Sequence, residues 1–410
     1  MTYAADLHIH SGFARGTSKD LTFDNMAHWA RLKGIDLLAS ADFTHPGWFD
    51  ETRRTLSEAG DGLYEHDGVK FILGTEVNCN AEQGGRNRRV HMLVFAPSLS
   101  VVRRINLALS AKGKLEADGR PTLHMTPRDL VRTLLDVDER CLFIPAHAWT
   151  PWFGVFGSKS GFDSLQECFG DEAERILAIE TGLSSEPAMN WRVPELDTRS
   201  IVSFSDAHSL PKLGRELTVF EGEPSFDGLS AALRTQAISY TAEFFPEEGK
   251  YHFSGHRKCG VRYSPAEVGG DDPRCPECRR KLTLGVMHRL EELAGREVAT
   301  WAGPDGLTRA DNGRPPFRML VALEQILAES LGIGVQTKGV RRAYLALVSE
   351  LGPELSILTE ASLPDIALVG GEKVAEGVGR VRLGDISIEP GYDGQYGRVS
   401  VWPTGGMKRP

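Results

Sequence analysis

The sequence predicts an α/β protein: a βα barrel over residues 1–243, a small cysteine-bearing module over 244–300 and a mainly helical unit over 301–410. Three observations lead there. Short apolar runs recur through the first part (GIDLLAS at 34–40, KFILGTE at 70–76, VHMLVF at 90–95, CLFIPAH at 141–147, SIVSFSD at 200–206), several of them followed by a helical or loop segment, as in successive strands of a barrel. Residues able to ligate a metal stand at most of these runs. Finally, the texture changes at FFPEEGKYHFSGHRK (244–258), a polar, charged connection that marks a boundary.

Within the first 243 residues the helical segments include 24–33, with Asp24 as N-cap, and 127–135, opening on Pro127 after Thr126. In a βα barrel, groups at the C-terminal strand ends converge on one mouth although they lie far apart in sequence. Eight residues fit that description: His8 and His10 in DLHIH, His45 in DFTHP, Glu76 in GTEVN, His91 in RRVHMLVF, His147 in IPAHAW, and Asp206 with His208 in SFSDAHS. Alternate strand residues share a face, so His8 sides with His10 and Asp206 with His208. His45 stands three residues after Asp42 instead of directly beside it. A single strand-end histidine is usually a hydrogen-bonded structural group, but an HxH at the first strand with a DxH near the last is not explained that way. Imidazoles and carboxylates without thiolate suit zinc, manganese or iron beside open positions. Two or three such ions a few ångströms apart suit in-line attack on a phosphate. His28, His66, His124 and His288 have no comparable setting and read as structural or solvent-facing.

The segment 149–170, WTPWFGVFGSKSGFDSLQECFG, follows His147 directly and is too irregular for a core strand. Its Trp149, Trp152, Phe153 and Phe156 could stack on a nucleobase at the barrel mouth or pack on one another as a lid.

Composition bounds the function classes. The 410 residues are enough for two or three domains, and 41% hydrophobic with 25% charged residues is ordinary for a soluble protein. No apolar stretch approaches a membrane span, and the N-terminus opens on a strand rather than a signal sequence, so a cytoplasmic location is expected. Cys79, Cys141 and Cys168 stand alone, with no disulfide framework, which fits a reducing compartment. The net charge of −9 lies wholly in residues 1–243, which carry 25 basic and 34 acidic side chains. Bound divalent cations would offset it there, so overall charge does not exclude DNA.

After the boundary, Cys259 and Cys275-Pro-Glu-Cys278 have the spacing of a zinc knuckle or ribbon. The position three after Cys259 is Arg262, leaving three cysteines, and His256 is the most economical fourth ligand, with His252 next. In the last part, 317–331 and 339–351 have helical spacing of apolar residues, and 310–317 is a turn or linker. Residues 365–384, DIALVGGEKVAEGVGRVRLG, read as helix, glycine hairpin and helix. Such a unit can hold a DNA phosphate on its backbone N–H groups, with Lys373 at the second helix start, or can be an ordinary packing corner.

The motifs DLHIH, DFTHP, GTEVN, PAHAWTPWFG and SDAH resemble those of the polymerase-and-histidinol-phosphatase (PHP) domain. Together with GKYHFSGHRKCG, CPECRRKLTLGVMHRLEELAGR and IEPGYDGQYGRV, the chain resembles the endonuclease Q family along nearly its whole length. The resemblance implies a PHP-type distorted βα barrel, a zinc-binding insert and a helical C-terminal domain. It also implies cleavage of DNA on the 5′ side of deaminated bases (uracil, hypoxanthine, xanthine) and abasic sites. Its metal ligands fall on the same eight residues. Glu76, His147 and Asp206 would be the catalytic members, Glu76 bridging two metals and Asp206 holding the one on the nucleophile side. Zinc, manganese, iron or magnesium would fill the cluster, and one structural zinc the insert, where the family usually has a second cysteine at the place of Arg262. Damaged DNA is the expected partner, and a sliding clamp or another repair protein is a candidate recruiter. The competing readings are a PHP-family phosphatase on a small phosphoester and a DNA-binding accessory whose barrel has lost catalysis. The intact ligand set argues against the second, and the C-terminal parts against the first.

Overall fold

The structure is a computed structural model that describes residues 1–268 and 273–403; the parts of the module and of the C-terminal unit at 269–272 and 404–410 lie outside the described residues. Seven strands surround the first core: β1 (Thr2–Asp6), β2 (Leu37–Ala39), β3 (Val69–Gln83), β4 (Arg86–Ala96), β5 (Leu142–Pro145), β6 (Ala178–Glu180) and β7 (Ser200–Val202). β1, β2 and β3 run parallel, β4 is antiparallel to both β3 and β5, and β6 pairs with β7 in parallel. The ring closes through single main-chain links, Ala148 N–H to the Glu180 carbonyl at 2.9 Å and a bridge between Ile9 and Ala207. Irregular closure of this kind is what makes the barrel distorted.

The strand-then-helix expectation fails between β3 and β4. These long strands are joined directly by Gly84 and Gly85, with φ of 61° and 71°. Two successive residues at positive φ make the tight turn that matches the twist of a hairpin, and glycine supplies it without steric cost. As a result Glu76 and His91 lie in the middle of strands rather than at their ends. Asn78 stands opposite His91 and Glu76 opposite Leu93, so Glu76 and His91 share one face diagonally.

Helix α1 (Phe23–Lys33) is capped by Thr22, whose hydroxyl accepts from the Asn25 N–H, rather than by Asp24, which sits in the first turn. Thr22 wins because it has the extended backbone an N-cap needs. Helix α2 (Pro46–Thr55) starts at His45, and α3 (Pro127–Val137) starts at Thr126 as expected. On the far side of β1 the sheet continues through β8 (Leu217–Glu221), β9 (Ile238–Glu243) and β10 (Phe317–Met319), then through strands Thr308–Ala310 and Thr300–Ala302. The helical run expected from residue 317 therefore begins at Leu323. Phe317 follows two prolines and pairs in parallel with Thr241, so the exposed edge of β9, not local propensity, decides its conformation.

Five helices build a second core: α4 (Leu323–Leu331), α5 (Lys338–Leu351), α6 (Glu354–Thr359), α7 (Leu363–Gly370) and α8 (Glu372–Leu383). Leu323, Ile326, Tyr344, Leu347, Ile366 and Val378 are fully buried in it. Gly371, at φ 91°, separates α7 from α8 as a hairpin. This unit docks on α1 through a buried ion pair, Lys33 Nζ to Glu354 Oε2 at 2.6 Å, joined by the Tyr344 hydroxyl at 2.8 Å and the Leu323 N–H at 3.0 Å. Removing one partner strands a buried charge. Lys33→Met is expected to destabilise the docked C-terminal unit by about 3–5 kcal/mol, read as a lower urea midpoint for the helical unit.

Candidate metal centre

Six side chains meet at the barrel mouth in two sets that share one residue. His8, His10, Glu76 and Asp206 form the first and Glu76, His91 and His147 the second, with the ligand atoms of each set within 4.8 Å of one another. The two oxygens of Glu76 divide between them. Oε1 lies 2.6 Å from His91 Nδ1 and 3.3 Å from His147 Nε2; Oε2 lies 3.4 Å from His8 Nε2 and 3.3 Å from His10 Nε2. A carboxylate so placed can bridge two cations.

The backbone works to hold this arrangement. His147 and Asp206 follow their strands at φ of 32° and 45°, and Asp42 at 34°. That region is rarely used by residues with a side chain, and such strain collects at functional sites. Gly182 is required beside His147, since a Cβ there would lie 2.4 Å from the His147 Cβ.

Two carboxylates that sequence reasoning missed orient the histidines from behind. Glu180, at the end of β6, receives His8 Nδ1 at 2.9 Å and the His147 N–H at 2.6 Å. Asp42 receives His10 Nδ1 at 3.1 Å and the Ser11 N–H at 2.7 Å. Carboxylate behind imidazole fixes the tautomer so that Nε2 faces the metal position. Arg120 was missed as well: its Nη1 donates to Glu76 Oε2 at 3.1 Å. A metal fits the donor set. His8 Nε2 is buried and makes no hydrogen bond, although it lies 3.4 Å from Glu76 Oε2 and 3.5 Å from Asp206 Oδ1.

The charges agree with that reading. Burial pushes His8 and His10 down, but the surrounding carboxylates outweigh it and leave both well above the ordinary histidine range, Glu180 acting chiefly on His8 and Asp42 on His10. Burial pushes Glu76 and Asp206 up, yet both end lowered, Glu76 by His91, Arg120 and His8, and Asp206 by His8 and His10. Burial holds His91 down at about 4, so it presents a neutral imidazole. Cations entering the site would displace the protons of His8 and His10.

The other two predicted ligands fall outside both sets. His208 lies at the rim, its ring 4.8 Å from that of His10 and its Nδ1 2.9 Å from the Asp206 carbonyl oxygen. His45 caps α2 and packs on Phe13 with ring centroids 4.6 Å apart, its Nδ1 buried without a partner. The two residues between Asp42 and His45 carry it off the strand end.

In the aromatic loop two of the four rings follow the packed alternative and not the stacking one. Trp149 and Phe156 are fully buried, and Trp149 donates its indole N–H to Asn190 at 2.7 Å, so both belong to the core and offer no stacking face. Phe153 stacks on His91 with centroids 4.4 Å apart and so backs a member of the second set. Trp152 alone of the four is exposed, 5.4 Å from the ring of Tyr251. Beside Asp206 and His208 opens a cavity of about 540 Å³ lined by Thr150, Arg215, Lys250, Tyr251 and Tyr396. Tyr396 arrives on the 388–399 segment, tied down by the Gly394 N–H to the Lys250 carbonyl at 2.8 Å and the Arg257 N–H to Asp393 at 2.7 Å.

In the module, His256, Cys259, Cys275 and Cys278 point their ligand atoms at one another within 4.8 Å. Burial acts to raise the Cys275 thiol but is outweighed by the Cys278 and Glu277 amides, which leave it at about 7, near the thiolate a metal needs. Arg262 turns away, donating to the Pro390 carbonyl at 3.1 Å. Lys373 lies exposed in the first turn of α8 with its ammonium 5.1 Å from the Trp402 ring.

At the end of β9, Glu243 is fully buried and accepts from the hydroxyls of Ser203, Thr241 and Thr181. Burial outweighs these bonds and raises it from the ordinary 4.5 to about 7. With the folded value above the unfolded one, Glu243 contributes stability that is fully present below about pH 4.5 and is lost as pH rises through about 7. Glu243→Gln is expected to reduce the fall in melting temperature between pH 5 and pH 8 without abolishing it, because burial raises neighbouring Glu216 in the same direction.

Comparison with known proteins places this geometry. Residues 322–385 match the family model of the MJ0043 C-terminal domain. Uncharacterized protein MJ0043 of Methanocaldococcus jannaschii is 30% identical over 265 residues, 63% of this chain but 32% of that protein, so the match spans about a third of its length. Uncharacterized protein YqxK of Bacillus subtilis is 29% identical over 96% of this chain and 98% of its own. Two crystal structures superpose at a TM-score of 0.84 with 31% identity: the lesion-specific endonuclease PfuEndoQ from Pyrococcus furiosus, over 98% of this chain and 95% of that one, and endonuclease Q with a 27-mer duplex substrate bearing an abasic lesion at the active site, over 98% and 97%. The likeness runs over nearly the whole length of both chains in each case, and this chain belongs to the endonuclease Q family.

Proposed function

We propose that the protein is a metal-dependent DNA endonuclease that hydrolyses the phosphodiester on the 5′ side of a damaged nucleotide: an abasic site or a deaminated base such as uracil, hypoxanthine or xanthine. The observation that carries the reading is the pair of ligand sets sharing Glu76, within a chain similar to the lesion-specific PfuEndoQ over nearly its full length. Zinc, manganese, iron or magnesium bound there would supply Lewis acidity to an attacking water and to the phosphate. Glu76 would be shared by the two positions, Asp206 with His8 and His10 would hold one, and His91 with His147 would hold the other. Glu180 and Asp42 keep the imidazoles aimed. His45 and His208 complete the eight if each turns inward on loading.

A nucleotide with weak or absent pairing leaves the stack at least cost. The 540 Å³ cavity beside Asp206 is within the size range of small-ligand sites, and Tyr251 and Tyr396 offer rings there. Trp152, over Tyr251, stands at its edge. We assign residues 1–243 to catalysis, 244–300 to a structural zinc held by Cys259, Cys275, Cys278 and His256, and 301–410 to duplex contact that includes the Lys373 turn.

The test is a labelled duplex carrying one deoxyuridine, supplied with manganese or magnesium. The wild type is expected to nick it beside the uracil and Asp206→Ala to leave it intact. No nick, together with turnover of a small phosphate ester, would favour the phosphatase reading. Tyr251→Ala is expected to reduce discrimination between uracil and thymine about tenfold, read as the ratio of kcat/KM; base stacking of about 1–3 kcal/mol sets that scale.

A further inference from the structure

Arg120 faces two ways. One end reaches Glu76 Oε2 at 3.1 Å, and the side chain is 25% exposed on the other side, into a cleft of about 720 Å³ also lined by Arg15, Lys112, Lys114 and His124. The backbone that carries Arg120 is clamped on both sides. The Gly119 N–H donates to the Phe13 carbonyl at 3.1 Å, the Thr44 hydroxyl to the Gly119 carbonyl at 3.4 Å, and the Asn78 N–H to the Pro121 carbonyl at 3.0 Å. Gly119 cannot be replaced cheaply, because a Cβ would lie 2.5 Å from Asp42 Oδ2. The guanidinium is therefore held at the metal centre.

Once divalent cations draw on Glu76, that guanidinium is left beside like charge and needs an anion. Lys112 and Lys114 are exposed, and among the described residues neither makes an ion pair. The one carboxylate close to Arg120 in the cleft, Asp118, is occupied by the Arg15 and Arg120 N–H groups at 3.0 and 3.2 Å and lies 3.5 Å from the Arg15 guanidinium. In a chain of net charge −9, a run of cations opening from a metal cluster is a specific feature, and the polyanion that matches it is a phosphodiester backbone.

We propose that this cleft is the track of the strand being cut, with Arg120 on a non-bridging oxygen of the phosphate at the metal centre and Lys112 and Lys114 on phosphates farther along. The inference rests on the endonuclease reading and adds the path by which the strand reaches the site.

The experiment uses the full-length, metal-loaded protein and a labelled undamaged duplex, whose affinity is read by fluorescence anisotropy across a range of salt. Lys112→Ser/Lys114→Ser is expected to weaken binding and to reduce the slope of log K against log salt by about two, since each phosphate contact contributes roughly 0.9. Arg120→Gln is expected to keep the barrel metals by elemental analysis and to cut the deoxyuridine duplex at least about 100-fold more slowly, with Arg120→Lys recovering part of the rate. An unchanged salt slope in the double variant, while the wild type cuts the lesion duplex, overturns the track and leaves the endonuclease reading standing. Loss of barrel metal in Arg120→Gln would make Arg120 a structural partner of Glu76 and overturn its phosphate role. A wild type that neither binds nor cuts duplex DNA overturns both readings.

Discussion

Glu76→Ala is expected to lower cleavage of a lesion duplex by about 1,000-fold or more while the protein stays folded. The side chain is fully enclosed, and its two oxygens face different ligand sets, Oε1 toward His91 and His147 and Oε2 toward His8 and His10. Deleting it removes a ligand from both at once, whereas deleting any histidine weakens one. Metal stabilisation of a phosphoryl transition state amounts to several kcal/mol, and each 1.36 kcal/mol is tenfold in rate. Elemental analysis separates this from unfolding: the module zinc should persist while the barrel metals are lost. Glu76→Gln keeps one carbonyl oxygen and should hold an intermediate amount of metal.

Cys275→Ser is expected to have the second large effect, through a different part of the molecule. Between Ser254 and Leu282 the described residues hold short strands and turns and few fully buried apolar side chains other than Cys275. A structural zinc at the proposed Cys259, Cys275, Cys278 and His256 site would contribute on the order of 10 kcal/mol, which local packing cannot replace. The loss should spread to the cavity wall, because the Phe253 N–H bonds the Gly391 carbonyl at 3.0 Å and the Thr283 hydroxyl bonds Asp393 at 2.5 Å. These bonds carry the segment that presents Tyr396. The variant should lose one zinc per chain, become open to proteolysis between residues 255 and 285, and cut lesion duplex at least about 100-fold more slowly, with barrel metals retained.

The convergence of six of the eight residues was legible because their chemistry is unusual in order as well as kind: HxH after the first strand and DxH after a late one brought His8, His10 and Asp206 to the same mouth as His147. Glu76 and His91 join the same mouth for a reason other than the strand-end pattern, since they sit mid-strand in a hairpin whose signal, Gly84-Gly85, was in the sequence. Glu180 and Asp42 were not legible, because an acid that orients a histidine from behind reads like any other strand-end acid until the histidine is placed. His45 shows the limit from the other side, a plausible spacing that a helix cap diverts. Trp149 and Phe156 read as either a stacking surface or a packed lid, because residue type does not tell a ring in a lid from a ring in a pocket. The cavity that the fold does form draws Tyr251 and Tyr396 from segments 145 residues apart.

The bridging role of Glu76 is the centre of this account, and anomalous X-ray scattering from metal-loaded crystals tests it most directly. The expected map has at least two peaks in the barrel mouth, with a different Glu76 oxygen about 2.0–2.2 Å from each of two of them if the ion is zinc, and a separate peak among His256, Cys259, Cys275 and Cys278. A single barrel peak held by His8, His10 and Asp206, with Glu76 still paired to Arg120 and His91, would contradict it.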